Sequence, residues 1–274
     1  MKYHGKNEEQ LLNILDQFQL DEKVVSAEPF GNGHINDTLK VTNEKGEIKY
    51  VLQRINHLIF TNVDMLQNNI HVVTTHIRKK LEEKGETDID RKVLTFLPTK
   101  DGKKYYFDGD SYWRVCLFIP RSKSYEEVTP ELSYEAGKAF GDFQTMLSDI
   151  PEGTLGETIP DFHNMEFRLR QFHEAVAANP AGRLEEVKDL VEEIEKRAEA
   201  MCIQERLYRE GQLKKRTNHC DTKVNNMMFD ADSDKVLCVI DLDTVMPGFV
   251  LSDIGDLSVP EPIRVPRTMR IWIT

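Results

Sequence analysis

His219-Cys220-Asp221-Thr222-Lys223-Val224-Asn225-Asn226 carries the chemistry of this chain, and Asp241-Leu242-Asp243 follows it, Asp241 falling fifteen residues after Asn226. A histidine, an aspartate two positions on and an asparagine five beyond that make H-x-D-x-x-x-x-N, the spacing of a loop that supports phosphoryl transfer. The residue types follow from the chemistry. One carboxylate must orient an attacking hydroxyl and accept its proton. A neutral amide oxygen and a second carboxylate must hold a divalent cation on the phosphates, offsetting charge as it moves to the leaving oxygen. Asp221 fits the first role and Asn226 and Asp241 the second, while His219 braces the loop without titrating. Asp241 ends the apolar run Val236-Leu237-Cys238-Val239-Ile240, which sets a carboxylate at the edge of a rigid strand. Singly, each of these residues also reads as a loop polar or a strand cap; their order on suitable elements carries the chemical reading.

Outward from this core the chain divides by periodicity. Residues 1 to about 20 suit a short amphipathic helix with Leu11, Leu12, Ile14, Leu15 and Phe18 on one side. Strands are predicted at Val24–Phe30, Thr38–Val41 and Ile48–Ile55, then a helix over Val63–Lys84 whose Leu66, Ile70, Val73, Ile77 and Leu81 draw one stripe. Three further strands are expected at Lys92–Leu97, Lys104–Phe107 and Tyr112–Ile119, with the turn dipeptides Asp101-Gly102 and Asp108-Gly109 between them. After Pro120 the pattern turns helical. One stripe runs through Leu132, Ala136, Ala139, Phe140, Phe143 and Leu147, another through Leu184, Val187, Val191, Ile194, Ala198 and Met201. Short strands at Asn226–Phe229 and Val236–Leu242 close the pattern. An antiparallel β lobe with one helix, followed by a mainly α lobe, is an α+β design with a cleft between its halves.

Two further features fit a nucleotide in that cleft. Gly31 and Gly33, in Phe30-Gly31-Asn32-Gly33-His34, would let backbone amides approach phosphates, although Gly-Asn-Gly also reads as an ordinary hairpin turn. The strand Ile48–Ile55 carries Arg54, a candidate cation for the phosphates or an edge charge. No glutamate falls in the first four turns of the following helix to pair with it.

The chain has 274 residues with 36 Lys plus Arg against 47 Asp plus Glu, a net charge of −11. That balance argues against a nucleic-acid partner. No run approaches a membrane span and Met1 is not followed by a signal-type apolar core, so neither a membrane span nor a secretory signal is expected and the cytoplasm is the default address. The four cysteines, Cys116, Cys202, Cys220 and Cys238, form no C-x-x-C, and neither a disulfide framework nor a zinc site is expected.

Together these motifs resemble the aminoglycoside phosphotransferase and choline kinase group, and within it the N-acetylhexosamine 1-kinases. The similar stretches are Val51–Asn56, Asn68–Ile70, Ile159–Asn164, His219–Asp230 and Val239–Gly248. The resemblance implies a bilobal protein-kinase-like fold, ATP and Mg²⁺, and a small-molecule sugar phosphorylated at its anomeric hydroxyl. It implies Asp221 as base, Asn226 and Asp241 as magnesium ligands, and adenine against Leu117–Ile119. Asp161, His163 and Asn164 would lie on the sugar side, although the same residues also read as a loop before a helix capped by Asn164. Asp243 would support the metal site. Residues 1–119 would then bind nucleotide and 120–256 carry catalysis and acceptor binding. Other kinase acceptors, such as aminoglycosides or choline-like alcohols, share fold and motif, and a kinase-shaped binding protein is a further alternative.

Residues 257–274 depart from the family, whose members continue with R-x-G-A-N-T and an acidic run. Synonymous codons exist for Asp256–Thr274 such that one T inserted after the Asp256 codon yields SVRSGANTGAEDDEDLDN, so a frameshift and a truncated helical lobe are expected, the alternative being a natural divergent tail. Helices over Glu131–Leu147 and Leu184–Met201 would then lose partners, leaving a chain of poor solubility or weak activity.

Overall fold

An asparagine at residue 7 opens the first helix. Its side chain accepts from the Gln10 amide at 2.9 Å while the Gln10 side chain accepts from the Asn7 amide, closing a capping box. The computed structural model describes residues 5–31, 35–125 and 129–258. Helix α1 (Glu8–Leu15) turns Leu11, Ile14 and Leu15 inward. They cover Leu39 and Val41 of β2 (Asp37–Asn43), Leu52 of β3 (Ile48–Ile55), and Trp113 and Val115 of β6 (Tyr112–Leu117). The sheet is antiparallel in the order β1 (Val24–Pro29), β2, β3, β6 (Tyr112–Leu117), β4 (Phe96–Leu97), and β5 (Tyr106–Phe107) joins the outer edge of β6. Asp108-Gly109 turns β5 into β6 as expected, Gly109 having φ +97°.

Helix α2 (Val63–Glu83) shares its core with Ile55 of β3 and with the helical half. Leu66, Ile70, Val73 and Ile77 pack on Phe143 and Leu147 of α4 (Pro130–Leu147) and on Leu242 and Val245, so the largest core joins the two halves. Burying each such side chain contributes about 1.5–3 kcal/mol. The strand expected over Lys92–Leu97 is shorter than that. Lys92 ends a helical turn, α3 (Ile89–Lys92), and only Phe96 and Leu97 pair with β6. The turn aims Arg91 at the connection between the halves, where it donates to the carbonyls of Pro120 and Arg121 and to Asp230.

The helical half follows. After β7 (Ser122–Lys123) come α4, α5 (Met165–Ala178), a 3-10 turn at Leu184–Val187, α6 (Lys188–Met201) and α7 (Ile203–Arg209). Short strands β8 (Arg216–Asn218), β9 (Met227–Asp230), β10 (Val236–Val239) and β11 (Met246–Gly248) frame the loops quoted above, and α8 (Val250–Ser258) closes the described chain. β9 begins at Met227 because Val224–Asn226 form a 3-10 turn, which holds Asn226 out of the strand. The expectation of stranded helices fails for α4: Leu132, Ala136, Phe140, Phe143 and Leu147 are all buried, against Met227 and Phe229 of β9 and against α2. No helix among the described residues is long and apolar enough to cross a membrane. All four cysteines are free, and burial pushes the thiols of Cys116 and Cys238 up to about 12.

Candidate active site

The loop after β8 is held from below. Asp253 of α8, 2% exposed, accepts from the backbone amides of His219 at 2.9 Å and Cys220 at 2.8 Å. The Thr222 hydroxyl donates to the Asp253 carbonyl and the Gln144 amide to its carboxylate. Cys220 then adopts a left-handed backbone, φ +63°, so the chain reverses and Asp221 emerges at the surface. The His219 ring is fully buried, edge-on to Phe140 and Phe143. Burial lowers its pKa and keeps it neutral, and Nε2 lies 2.9 Å from the Ile240 carbonyl. A carbonyl only accepts, so Nε2 carries the proton and ties the loop to the end of β10.

Asp221 is one-third exposed, with Oδ2 3.0 Å from Lys223 Nζ and 2.9 Å from Asn226 Nδ2. Asn226 Nδ2 also donates to the Asp221 carbonyl, while the Ile240 amide donates to the Asn226 carbonyl. With its nitrogen committed to two Asp221 oxygens, Asn226 keeps Oδ1 for another partner. Asp241 follows in a left-handed conformation, φ +57° and ψ +57°. Its carboxylate opens to solvent, yet the crowding of protein around it withdraws bulk water, and Asp243 and Asp221 add repulsion. Together these push its pKa up to about 6. Among the described residues no three His, Cys, Asp or Glu side chains cluster as a self-sufficient metal cage. Mg²⁺ needs no such cage, because it takes one or two carboxylates and completes its shell with phosphate oxygens and water. An Asn226 Oδ1 and an Asp241 carboxylate, both hard oxygen donors, fit that demand.

Asp243 has a different task. It is 2% exposed and receives the guanidinium of Arg114 two-fold, Nη1 at 2.5 Å and Nη2 at 2.9 Å, with Asn36 donating to the same carboxylate. Arg114 sits on β6 opposite Gln53, whose side chain accepts from its Nε at 3.0 Å. A buried ion pair therefore ties the sheet to the segment bearing Asp241. Arg54, the cation singled out from sequence, lies opposite Asp37 on β2, and its Nε donates to that carboxylate at 2.5 Å.

At the connection between the halves, the Leu117 amide donates to Thr95 and the Phe118 amide to Lys49. Ile119 is buried, and its carbonyl accepts from Ser122. Phe30, just before Gly31, meets Phe118 edge-on at 6.1 Å, so the glycine turn lies over this connection. Gly31 has φ +78° with open space where a side chain would stand. Gly33 lies outside the described residues.

The residues expected on the acceptor side separate by role. Asp161, at φ +55°, accepts from the Asn164 side chain at 2.7 Å, and Asn164 Oδ1 caps α5 by accepting from the Phe167 amide. These two build the turn. His163, which they project, stacks on Phe162 with centroids 4.7 Å apart and lines a cavity of about 430 Å³.

Sequence reasoning missed three residues here. Lys223 was marked only by standing two positions after Asp221, inside the motif itself. A charged residue within the apolar strand Tyr112–Leu117 was the available sign for Arg114. Asp253 carried no local signal, since its partners lie more than thirty residues away.

Residues 26–269 match the APH model of the phosphotransferase enzyme family. Similar solved structures include spectinomycin phosphotransferase APH(9)-Ia in complex with ADP and spectinomycin, at 13% identity and a TM-score of 0.54 over 91% of this chain and 72% of that one. An aminoglycoside phosphotransferase from Alicyclobacillus acidocaldarius is similar at 16% identity and a TM-score of 0.57, over 89% and 69% of the two chains. At these identities the likeness is one of fold, the bilobal α+β architecture described above. The family match runs from β1 through Asp221, Asn226 and the Asp241–Asp243 pair: the chain belongs to the APH phosphotransferase enzyme family.

Proposed function

We propose that this chain transfers the γ-phosphoryl group of ATP to a hydroxyl of a small molecule, and that the acceptor is the anomeric hydroxyl of an N-acetylhexosamine. The observation that carries the transfer is the Asp221 carboxylate, exposed at the mouth of a rigidly braced loop and held between Lys223 and Asn226. Asp221 orients the acceptor hydroxyl and takes its proton as the oxygen attacks phosphorus. Lys223, 3.0 Å from Asp221, brings positive charge to the point where the transferred group passes. Asn226 and Asp241 would hold Mg²⁺, which when bound offsets charge on the phosphate oxygens. Leu117–Ile119 and the Gly31 turn are the surfaces offered to the nucleotide. The sugar reading is supported by the sequence stretches around Asn68–Ile70 and Ile159–Asn164 and by His163 at the cavity wall.

A second reading, an amine-bearing acceptor, is favoured by the carboxylates of Glu205 and Asp256 on the same cavity. A coupled assay with ATP and Mg²⁺ over N-acetylhexosamines, free hexosamines, choline and aminoglycosides separates the two. Asp221→Asn should lower turnover of the accepted substrate about 10²–10⁴-fold, the usual contribution of a positioned base. Unchanged turnover in that variant would sink the mechanism, and a wild-type chain that binds nucleotide but phosphorylates nothing in the panel would favour a binding protein.

A further inference from the structure

Helix α2 meets the helical half through apolar side chains and through one amide. Asn69 lies within the buried stripe, 1% exposed, and both ends of its side chain are committed. Nδ2 donates to the Gly156 carbonyl at 2.7 Å and to the Val245 carbonyl at 3.1 Å, and Oδ1 accepts from the Gly156 amide at 3.1 Å. Both N–H groups of one amide are thereby spent on backbone that belongs to two other segments. Apolar packing is non-directional and lets a helix slide, whereas hydrogen bonds fix its register. Asn69 falls within Asn68–Ile70, a stretch marked by sequence to which the chemistry of Asp221 gives no task.

The first segment it holds is the loop between α4 and α5. Leu155 enters the core shared by the two halves, and a β-carbon on Gly156 would run into the Met65 side chain of α2. Glu157 pairs with Lys215 at 2.9 Å, and Thr158 is buried against Met246 of β11. Three residues later begins the turn, closed by Asn164 on Asp161, that projects His163. The second segment follows Asp241. Leu242–Thr244 form a 3-10 turn, with the Val245 amide donating to the Leu242 carbonyl. The Thr244 hydroxyl donates to the His219 carbonyl at 2.8 Å, and Asn69 takes the Val245 carbonyl at the exit. Asp241 enters this turn in a left-handed backbone, φ +57°, which a residue other than glycine keeps only where its surroundings over-determine it. The direction of its carboxylate is therefore set by what pins the turn behind it.

We infer that Asn69 is a positioning residue for phosphoryl transfer. Through Val245 it fixes the aim of the Asp241 carboxylate, and through Gly156 it keeps the loop before the His163 turn at one distance from that carboxylate. This rests on the phosphotransferase reading proposed above. Asn69 touches no reacting group and acts only through the backbone of the segments it holds.

Asn69→Leu removes all three bonds at similar size, and Asn69→Asp keeps the acceptor for Gly156 while turning an oxygen toward two carbonyls. Leu81→Ala, three turns along the same helix and in the same core, loosens α2 without a hydrogen bond to either segment. Binding of Mn²⁺ in the presence of ADP, read from the free-ion electron paramagnetic resonance signal, reports the metal site without turnover. Both Asn69 variants should weaken Mn²⁺ about tenfold and lower kcat about tenfold, with KM for ATP within about threefold, the usual result of removing support behind a metal ligand. Leu81→Ala, measured below its own melting temperature, should stay within about threefold of the wild type in both. If folded Asn69 variants keep the wild-type Mn²⁺ affinity and kcat, or Leu81→Ala loses as much as they do, the positioning role is overturned while the phosphotransferase reading stands. If neither Asn69 variant folds, the wild type decides. Mg²⁺ added to its ADP complex should shift the NMR signals of the Gly156 amide and the Asn69 side-chain amide, and unmoved signals overturn the inference. A wild type that binds Mn²⁺ with ADP but phosphorylates nothing in the panel ends the phosphotransferase reading first, and the Mn²⁺ affinities then judge the hold of Asn69 on Asp241. A wild type that binds no Mn²⁺ with ADP overturns both.

Discussion

Helices α2 and α6 carry the same kind of apolar stripe, and the fold treats them in opposite ways. In α2 nine residues are buried, Leu66, Ile70 and Val73 almost completely. In α6 none is fully buried, Leu190 is 65% exposed, and Val191, Ile194 and Ala198 are partly buried. Periodicity specifies which face of a helix is apolar; it does not supply the surface that the face meets. α2 finds α4 on one side and Leu242 and Val245 on the other, so it becomes the keel joining the halves and supports the segment that carries Asp241. α6 meets α7 and the preceding 3-10 turn, neither of which has a buried residue, and reaches α5 through Glu195 and His173.

The contrast breaks most sharply at the charged link within the keel region. Arg114→Met leaves Asp243 buried without its bidentate partner, and removing one member of a fully buried pair costs about 3–5 kcal/mol. Denaturant unfolding should show that loss. The double variant Arg114→Met/Asp243→Leu should recover much of it, because replacing both charges by apolar groups removes the stranded carboxylate. An Arg114→Met chain as stable as the wild type would mean that the sheet and the Asp241 segment are not coupled through this pair.

A matched pair of truncations comes next in size. Ile70→Ala empties a site in the shared core and should cost about 2–5 kcal/mol, whereas Ile194→Ala on α6 should cost under about 1 kcal/mol. Comparable losses from the two would show that α6 buries its stripe in solution.

What sequence alone could reach follows the same division. The loop after β8 was legible as a motif because phosphoryl-transfer chemistry demands particular residue types at short, fixed spacing; in the structure Asn226 donates to Asp221, and His219 bonds the Ile240 carbonyl. Strand β3 fell at Ile48–Ile55 as predicted, since alternation and a Gly46 turn are local signals. Lys92–Leu97 was misjudged because Arg91 is drawn toward Pro120, Arg121 and Asp230, contacts that no local pattern announces. The pairing of Arg114 with Asp243 spans 129 positions and was likewise hidden. Arg54 satisfied every local rule for a strand cation. Only the register of β2 against β3 reveals Asp37 opposite it.

The smallest effect expected bears on the partly covered face of α6, and it puts the reading of residues 257–274 to the test. With the synonymous codons that allow it, a one-base insertion after the Asp256 codon would give the continuation SVRSGANTGAEDDEDLDN and whatever follows in that frame. If that frame encodes a partner for Val191, Ile194 and Ala198, amide exchange in α6 should slow while α2, already buried, stays as it was. In the chain as it stands α6 should exchange at rates close to those of a frayed segment, because few buried contacts oppose local opening. Sequencing the source gene supplies the insertion point. An uninterrupted frame matching Leu257–Thr274, or a restored frame that leaves α6 exchange unchanged, would remove the frameshift as the cause of the contrast.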